Sequence, residues 1–129
     1  MIADTNVLAR AITEDHPTQS RIAKAALDDA EAVVIGTSTL CELVWVLSRI
    51  YRISRDAIAD AIRRLTNGAN VIVNRAAVEA GLATLDAGGD FADGAIAFEG
   101  RQMGGETFVS FDRRAVKLLN ATGMSARQL

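Results

Sequence analysis

Apolar and polar positions alternate along this chain with two spacings, which predict helices separated by short strands. Apolar residues three and four positions apart indicate amphipathic helices, most clearly over residues 39–50 and 54–66. Short runs of strand-forming residues predict strands at residues 1–3, 32–36, 70–73, 107–111 and, most weakly, 124–127. Strands separated by helices of this length pair in parallel through right-handed crossovers, so the pattern predicts an α/β sandwich.

Residues that favour the start of a helix stand at the beginning of each helical pattern. They are Asp4, Pro17 or Thr18, Thr39, Ser54, Asn74, Asp90 and Asp112. Asn67-Gly68 ends one helix, and a turn over residues 86–89 separates two others. No internal repeat, low-complexity segment or linker interrupts the series.

The composition favours one cytoplasmic domain. The 129 residues are half apolar, so we predict a single domain over residues 1–129. The net charge of -2 neither attracts nucleic acid nor forbids it, so any nucleic-acid site must be local. The single cysteine, Cys41, suits a reduced cytoplasmic protein. No apolar run is long enough to span a bilayer, and the start lacks a signal-peptide pattern.

Several acidic residues stand where caps of helices are expected. Asp4, Asp90 and Asp112 each lie where a strand or loop enters a helix, and an aspartate there commonly caps the helix. Asp90 is best explained in this way. Residues 39–42 and 90–93 also fit the capping-box spacing, which gives the acid at the end of each span a structural explanation.

Taken together, the acids predict a metal site. The carboxyl ends of parallel strands meet at one edge of a sheet, where we expect acids to converge. The expected set is Asp4, Glu42, Asp93 and Asp112. Crowded carboxylates repel one another unless a cation neutralises them, and oxygen ligands suit Mg²⁺ or Mn²⁺. Zinc needs several His or Cys ligands, which this chain cannot supply, and its only histidine, His16, is predicted to be a solvated loop residue. Such a metal activates water and stabilises phosphoryl charge, so the predicted substrate is a phosphodiester.

Other chemistries lack the residues that they need. The chain has neither the phosphate-binding glycine loop nor the dinucleotide-binding fingerprint. A dehalogenase-like phosphatase needs a second aspartate where Asn6 stands. A receiver domain needs a lysine near the acids, and the only lysines are Lys24 and Lys117. A serine nucleophile has no base, because the single histidine lies in a loop.

Four segments resemble the motifs of PIN-domain ribonucleases, specifically the VapC-type toxins of toxin–antitoxin modules. They are Asp4-Thr5-Asn6 after the first strand, Glu42 in the third helix, Asp90-Phe91-Ala92-Asp93, and Ser110-Phe111-Asp112. The resemblance covers nearly the whole chain, in the same order and spacing. It implies a three-layer α/β/α sandwich with a central, mainly parallel sheet of four or five short strands.

The resemblance also implies an activity and its catalytic residues. It implies endonucleolytic RNA cleavage with Mg²⁺ or Mn²⁺, in a homodimer that a cognate VapB-type antitoxin inhibits. Asp4 and Asp93 would be the primary metal ligands. Asp112 would be a ligand through water or to a second ion, and Glu42 would orient the attacking water or serve a second site.

Supporting residues follow from the same comparison. Asn6 and Ser110 would orient the acids or the attacking water by hydrogen bonding, and Asp90 would support the site mainly as a helix cap. The chain departs from the resemblance at Gly94, where alanine is more usual, and this glycine lowers helix propensity by up to about 1 kcal/mol.

The sequence leaves open the roles of two surfaces and one competing function. Three arginines cluster around one helix junction and two follow on the next helix: Arg49, Arg52 and Arg55, then Arg63 and Arg64. They fit either RNA phosphate contacts or a solvated rim. Trp45 and Tyr51 lie in an apolar helix pair that fits a dimer face or a groove for an antitoxin helix. The competing function is a non-catalytic protein-binding or metal-sensing module, in which the acids are only helix caps.

Overall fold

Seven helices and four short strands alternate along the chain, as the apolar pattern predicts. The computed structural model describes residues 1–129. The helices are α1 (Thr5–Thr13), α2 (Pro17–Asp29), α3 (Thr37–Arg49), α4 (Arg55–Thr66), α5 (Arg75–Asp86), α6 (Phe91–Gln102) and α7 (Arg113–Ala121). The strands are β1 (Val33–Val34), β2 (Val71–Ile72), β3 (Phe108–Ser110) and β4 (Ala126–Gln128). The α/β class is confirmed, and no helix has the length and apolar character needed to cross a membrane.

These elements fall into two compact units. Unit 1 comprises Met1–Val73 and unit 2 comprises Asn74–Leu129. Each unit contains one two-stranded parallel sheet, β1 with β2 and β3 with β4. A single domain over residues 1–129 stays a prediction.

The sheet of unit 1 carries the start of the chain beside it. β1 pairs with β2 with Val34 opposite Ile72, and Ile2 forms one parallel bridge with Val34. The Ala3 N–H donates to the Val34 carbonyl at 3.0 Å. The predicted opening strand is therefore reduced to a single bridge at Ile2, and Asp4 follows two residues later.

The core of unit 1 holds the starts of α1 and α3 in place. Its fully buried aliphatic side chains, each at most 1% exposed, are Leu8, Val33, Ile35, Leu40, Leu43, Leu47, Ile58 and Ile62. The three leucines of α3 lie on one face because they repeat at three- and four-residue spacing. Burying each such side chain stabilises the fold by about 1.5–3 kcal/mol. The first turns of α1 and α3 are thus rigid supports for any residue they carry.

The sheet of unit 2 ties the end of the chain to β3. Phe108 lies opposite Ala126 and Ser110 lies opposite Gln128. The Leu129 N–H donates to the Ser110 carbonyl at 3.0 Å. The weakly predicted last strand is confirmed, although it begins two residues later than its pattern predicts.

Helices α5 and α6 approach each other closely in unit 2. A Cβ built on Gly94 would lie 2.2 Å from Thr84 Oγ1 and 2.4 Å from the Ala80 carbonyl oxygen. A Cβ on Gly81 would lie 2.6 Å from the ring of Phe91, which is only 1% exposed. Both glycines are therefore required by close packing between the helices.

Most helix starts agree with the prediction, and that of α3 does not. Side chains cap four of the predicted starts: Asp4, Ser54, Asn74 and Asp112. α3 begins at Thr37, after Gly36, which makes no side-chain capping bond. Thr39 therefore lies inside the helix, and the capping box predicted for Thr39 and Glu42 is wrong.

The single histidine is a helix cap, so its prediction as a solvated loop residue is incomplete. His16 is exposed, but its Nδ1 accepts a hydrogen bond from the Gln19 N–H at 3.1 Å. It is the N-cap of α2, which begins at Pro17 as predicted. This imidazole has a structural role, since it satisfies one of the free N–H groups at the helix start.

Candidate functional site

A cavity in unit 1 contains two of the predicted acids. Asp4 is the N-cap residue of α1, and Glu42 lies in α3. The cavity has a volume of about 240 Å³ and is lined by Asp4, Thr5, Asn6, Ala9, Arg10, Glu42, Val46 and Tyr51. Asn6, predicted to orient the acids, is among these residues. Two carboxylates and one amide thus share a single recess.

Thr5 hydrogen-bonds to both acids of this cavity. Its backbone N–H donates to Asp4 Oδ1 at 2.8 Å, and its hydroxyl donates to Glu42 Oε2 at 2.7 Å. Thr5 is only 6% exposed, so both bonds start from a fixed residue. Thr5 was not among the residues predicted to serve the site. Its position between Asp4 and Asn6 was the only sequence feature that could have indicated a role for it.

A second network lies on the wall of the same cavity. Arg10 Nη1 donates to Asp15 Oδ2 at 2.6 Å and to the Tyr51 hydroxyl at 3.1 Å. Burial raises the pKa of Asp15, but hydrogen bonds from Tyr51, Thr13 and Arg10 outweigh it and lower the pKa to about 2. Asp15 is thus ionised at neutral pH. No sequence motif singled out Arg10 or Asp15.

Three aspartates of unit 2 lie near one another. Burial raises the pKa of Asp93, and the negative charges of Asp90 and Asp112 raise it further. None of the three forms an ion pair with a basic residue in unit 2. The negative charge of these three aspartates is therefore not offset by an ion pair within unit 2.

Asp90 takes the expected helix position without the expected bond. It is the N-cap residue of α6, but its side chain makes no capping hydrogen bond. Only its carbonyl serves the helix, by accepting from the Asp93 N–H at 3.2 Å. The prediction that the Asp90 side chain is a helix cap is wrong, and its carboxylate is exposed.

Asp112 both caps a helix and is tied to Ser110. Its Oδ1 accepts from the N–H groups of Arg114 at 2.9 Å and Ala115 at 3.1 Å, which caps α7. The Asp112 N–H donates to the Ser110 hydroxyl at 3.0 Å. One carboxylate oxygen of Asp112 thus has a structural role, and Oδ2 makes no hydrogen bond within unit 2.

Each unit therefore brings together part of the predicted set. Unit 1 joins Asp4, Asn6 and Glu42 in one cavity. Unit 2 joins Asp93 and Asp112, with Asp90 and Ser110 beside them. No group of three or more Asp, Glu, His or Cys side chains has the geometry to hold a metal ion.

The predicted RNA-facing arginines have unequal exposure. Arg63 is half-buried, and the exposed members are Arg49, Arg52, Arg55 and Arg64. Trp45 is 57% exposed on α3, whereas Tyr51 is half-buried in the cavity wall. RNA contact by these arginines stays a prediction.

Comparison with known proteins supplies the family. The family model described as PIN domain matches residues 1–119. That region includes both acids of the unit 1 cavity and all three neighbouring aspartates of unit 2. No curated protein matches the chain significantly. Because the match spans most of the sequence, the chain belongs to the PIN domain family.

Proposed function

We propose that this protein is a metal-dependent endoribonuclease and the toxin component of a toxin–antitoxin module. PIN domains are generally metal-dependent nucleases. One observation carries the proposal: none of Asp4, Glu42, Asp93 and Asp112 forms an ion pair with Lys or Arg in its own unit. The ion pairs Arg10–Asp15 and Lys24–Glu14 involve other acids. Carboxylates kept free of basic partners are suited to a divalent cation.

The donor atoms of the proposed site fit Mg²⁺ or Mn²⁺. All are oxygens, and the pKa of Asp93 is raised by burial and by neighbouring carboxylates, which a bound cation would reverse. We assign Asp4 and Asp93 as the primary ligands. Asp112 would bind through water or to a second ion. When bound, a divalent cation activates water and stabilises phosphoryl charge.

The chain's own residues orient the reacting groups. The Thr5 hydroxyl holds Oε2 of Glu42, which leaves Oε1 to orient the attacking water or to serve a second site. Asn6 lines the same cavity and can donate to a substrate or water oxygen. Ser110 holds the backbone of Asp112. These contacts support the proposed roles of Asn6 and Ser110.

Partners complete the proposal. The substrate is RNA, and the protein is a homodimer that a separate VapB-type antitoxin inhibits. Exposed Trp45 on α3 supports a partner surface there, since a large exposed aromatic side chain is common at interfaces. The exposed arginines near the end of α3 support phosphate contacts.

Asp4→Ala tests the nuclease assignment. We expect this variant to lose RNA cleavage and toxicity on expression while keeping the fold. Asp4 is exposed, and its replacement removes only one hydrogen bond, the one from the Thr5 N–H. Cleavage is measured on labelled RNA with Mg²⁺, Mn²⁺ or EDTA, using protein freed of contaminating nucleases. The matched control is Asp28→Ala, which removes an exposed acid on α2. Undiminished cleavage by Asp4→Ala would refute the assignment.

A non-catalytic module is the second candidate. It is favoured by the capping bonds that Asp4 and Asp112 make, because these alone give both acids a structural role. Titration with Mn²⁺ followed by electron paramagnetic resonance measures tight metal binding. A protein that binds Mn²⁺ but does not cut RNA would be a metal-sensing module. A protein that does neither would be a protein-binding module.

A further inference from the structure

Arg10 is the only basic residue that lines the cavity of Asp4 and Glu42. Its guanidinium pairs with neither acid. Nη1 donates to Asp15 Oδ2 at 2.6 Å, and Nε donates to Gln19 Oε1 at 2.8 Å. Two edges of the guanidinium are therefore held by residues other than Asp4 and Glu42.

The acceptors are themselves fixed. Asp15 accepts from the Thr13 hydroxyl and the Tyr51 hydroxyl, each at 2.9 Å. Tyr51 also accepts from Arg10 Nη1 at 3.1 Å, which closes a triangle between the end of α1 and the residues after α3. A long side chain that is oriented in advance loses less conformational entropy when it binds a ligand.

One edge of the guanidinium remains available. Nη2 makes no hydrogen bond within unit 1, and the Arg10 side chain is about one third exposed. A phosphate that enters this cavity would otherwise meet two carboxylates and no positive side chain. Arginine pairs with phosphate through charge-assisted hydrogen bonds of fixed geometry.

We propose that Arg10 binds an RNA phosphate next to the cleaved linkage through Nη2. Asp15, Gln19 and Tyr51 are then positioning residues, which orient the guanidinium without touching the RNA. This inference rests on the proposed function, because it names the substrate contact of the same site. It adds a binding residue outside the four acidic motif positions.

The competing explanation is a surface ion pair that only joins two segments. An exposed ion pair contributes about 0–1 kcal/mol to stability and has no effect on RNA affinity. Salt dependence separates the two explanations. Each phosphate contact on a single strand adds about 0.7 to the slope of log affinity against log salt concentration.

The test measures binding of a fluorescein-labelled, mixed-sequence single-stranded RNA by fluorescence polarisation. Ca²⁺ replaces Mg²⁺, salt is varied from about 50 to 200 mM, and a gel confirms that the RNA stays intact. We expect Arg10→Gln to weaken binding about tenfold and to reduce the salt slope by about 0.7. Tyr51→Phe, which keeps the ring, should weaken binding about threefold with the slope unchanged.

Arg21→Gln is the matched control. Arg21 is exposed on α2, does not line the cavity of Asp4 and Glu42, and should leave affinity and slope at the values of the unaltered protein. The inference is overturned if Arg10→Gln binds within about twofold of the unaltered protein, or if Arg21→Gln lowers the slope equally. If the unaltered protein neither binds nor cuts RNA, the proposed function fails and this inference fails with it. Circular dichroism checks that each variant folds. If Arg10→Gln does not fold, Tyr51→Phe decides: binding weakened by about threefold supports the inference, and unchanged binding overturns it.

Discussion

Replacing Gly94 with alanine measures how closely α5 and α6 pack in unit 2. The added Cβ would lie 2.2 Å from Thr84 Oγ1 and 2.4 Å from the Ala80 carbonyl oxygen. The hydroxyl can turn aside only by breaking its 3.0 Å hydrogen bond to that same carbonyl. The carbonyl belongs to the backbone, so α5 must move by about 1 Å to restore ordinary contact.

Two opposing effects decide the outcome of Gly94→Ala. Alanine favours a helix over glycine by about 1 kcal/mol, which would stabilise α6. Overpacking a close contact destabilises by about 1–3 kcal/mol, and a contact with backbone lies at the upper end or beyond. We expect a net loss of about 2 kcal/mol in the free energy of unfolding. For a chain of this size, that lowers Tm by roughly 6–10 °C.

Thermal and urea denaturation, followed by circular dichroism, check this prediction. Gly100→Ala is the matched control on the same helix, because nothing lies within 4 Å of the added Cβ. The control should gain up to about 1 kcal/mol from helix propensity alone. If Gly94→Ala were as stable as Gly100→Ala, the close approach of the two helices would be disproved.

Two further predictions concern the acids. Thr5→Val keeps the shape of the side chain but removes the donor to Glu42; we expect unfolding assays to show a loss of about 1 kcal/mol. RNA cleavage should fall about tenfold or more because Glu42 loses its orientation, and an unchanged rate would contradict the role of Thr5. Burial raises the pKa of Asp93, and the charges of Asp90 and Asp112 raise it further. The ionised Asp93 carboxylate therefore destabilises the fold near neutral pH. This destabilisation is lost as the pH falls through the raised pKa and the carboxylate becomes protonated. Without metal, Asp93→Asn should have a higher Tm than the unaltered protein near pH 7, and the difference in Tm should disappear toward about pH 4. A difference in Tm that does not change with pH would disprove this effect of Asp93.

The order of elements could be predicted because it depends on local patterns. Apolar spacing and helix-capping residues locate all seven helices, and short β-branched runs locate β1 and β2. The start of α3 could not be fixed in this way. Thr37, Ser38 and Thr39 are consecutive good caps, and the chain instead begins the helix after an extended Gly36.

The acids of the candidate site could be named from sequence, but their hydrogen bonds could not. Strand ends and helix starts single out Asp4 and Asp112 by position and residue type. The Thr5–Glu42 bond joins residues 37 positions apart, and the Tyr51–Asp15 bond joins residues 36 positions apart. No local pattern encodes such pairs, since they depend on how α1 and α3 pack.

Gly94 shows why helix propensity alone misleads. Judged by propensity, this glycine is a defect in the middle of α6. The structure supplies the reason for it, because α5 leaves no room for a methyl group there. Asp93 is the adjacent residue, so the same close contact between α5 and α6 fixes the position of the Asp93 backbone.

The pairing of β4 with β3 limits where the gene can be shortened for protein production. The family match ends at residue 119, which invites an expression boundary there. Such a truncation would remove β4 and the Leu129 amide that bonds to the Ser110 carbonyl. An unprotected strand edge would then lie two residues from Asp112, where it could pair with another chain. Purification tags are better placed on a flexible spacer beyond Leu129 than in place of the last strand.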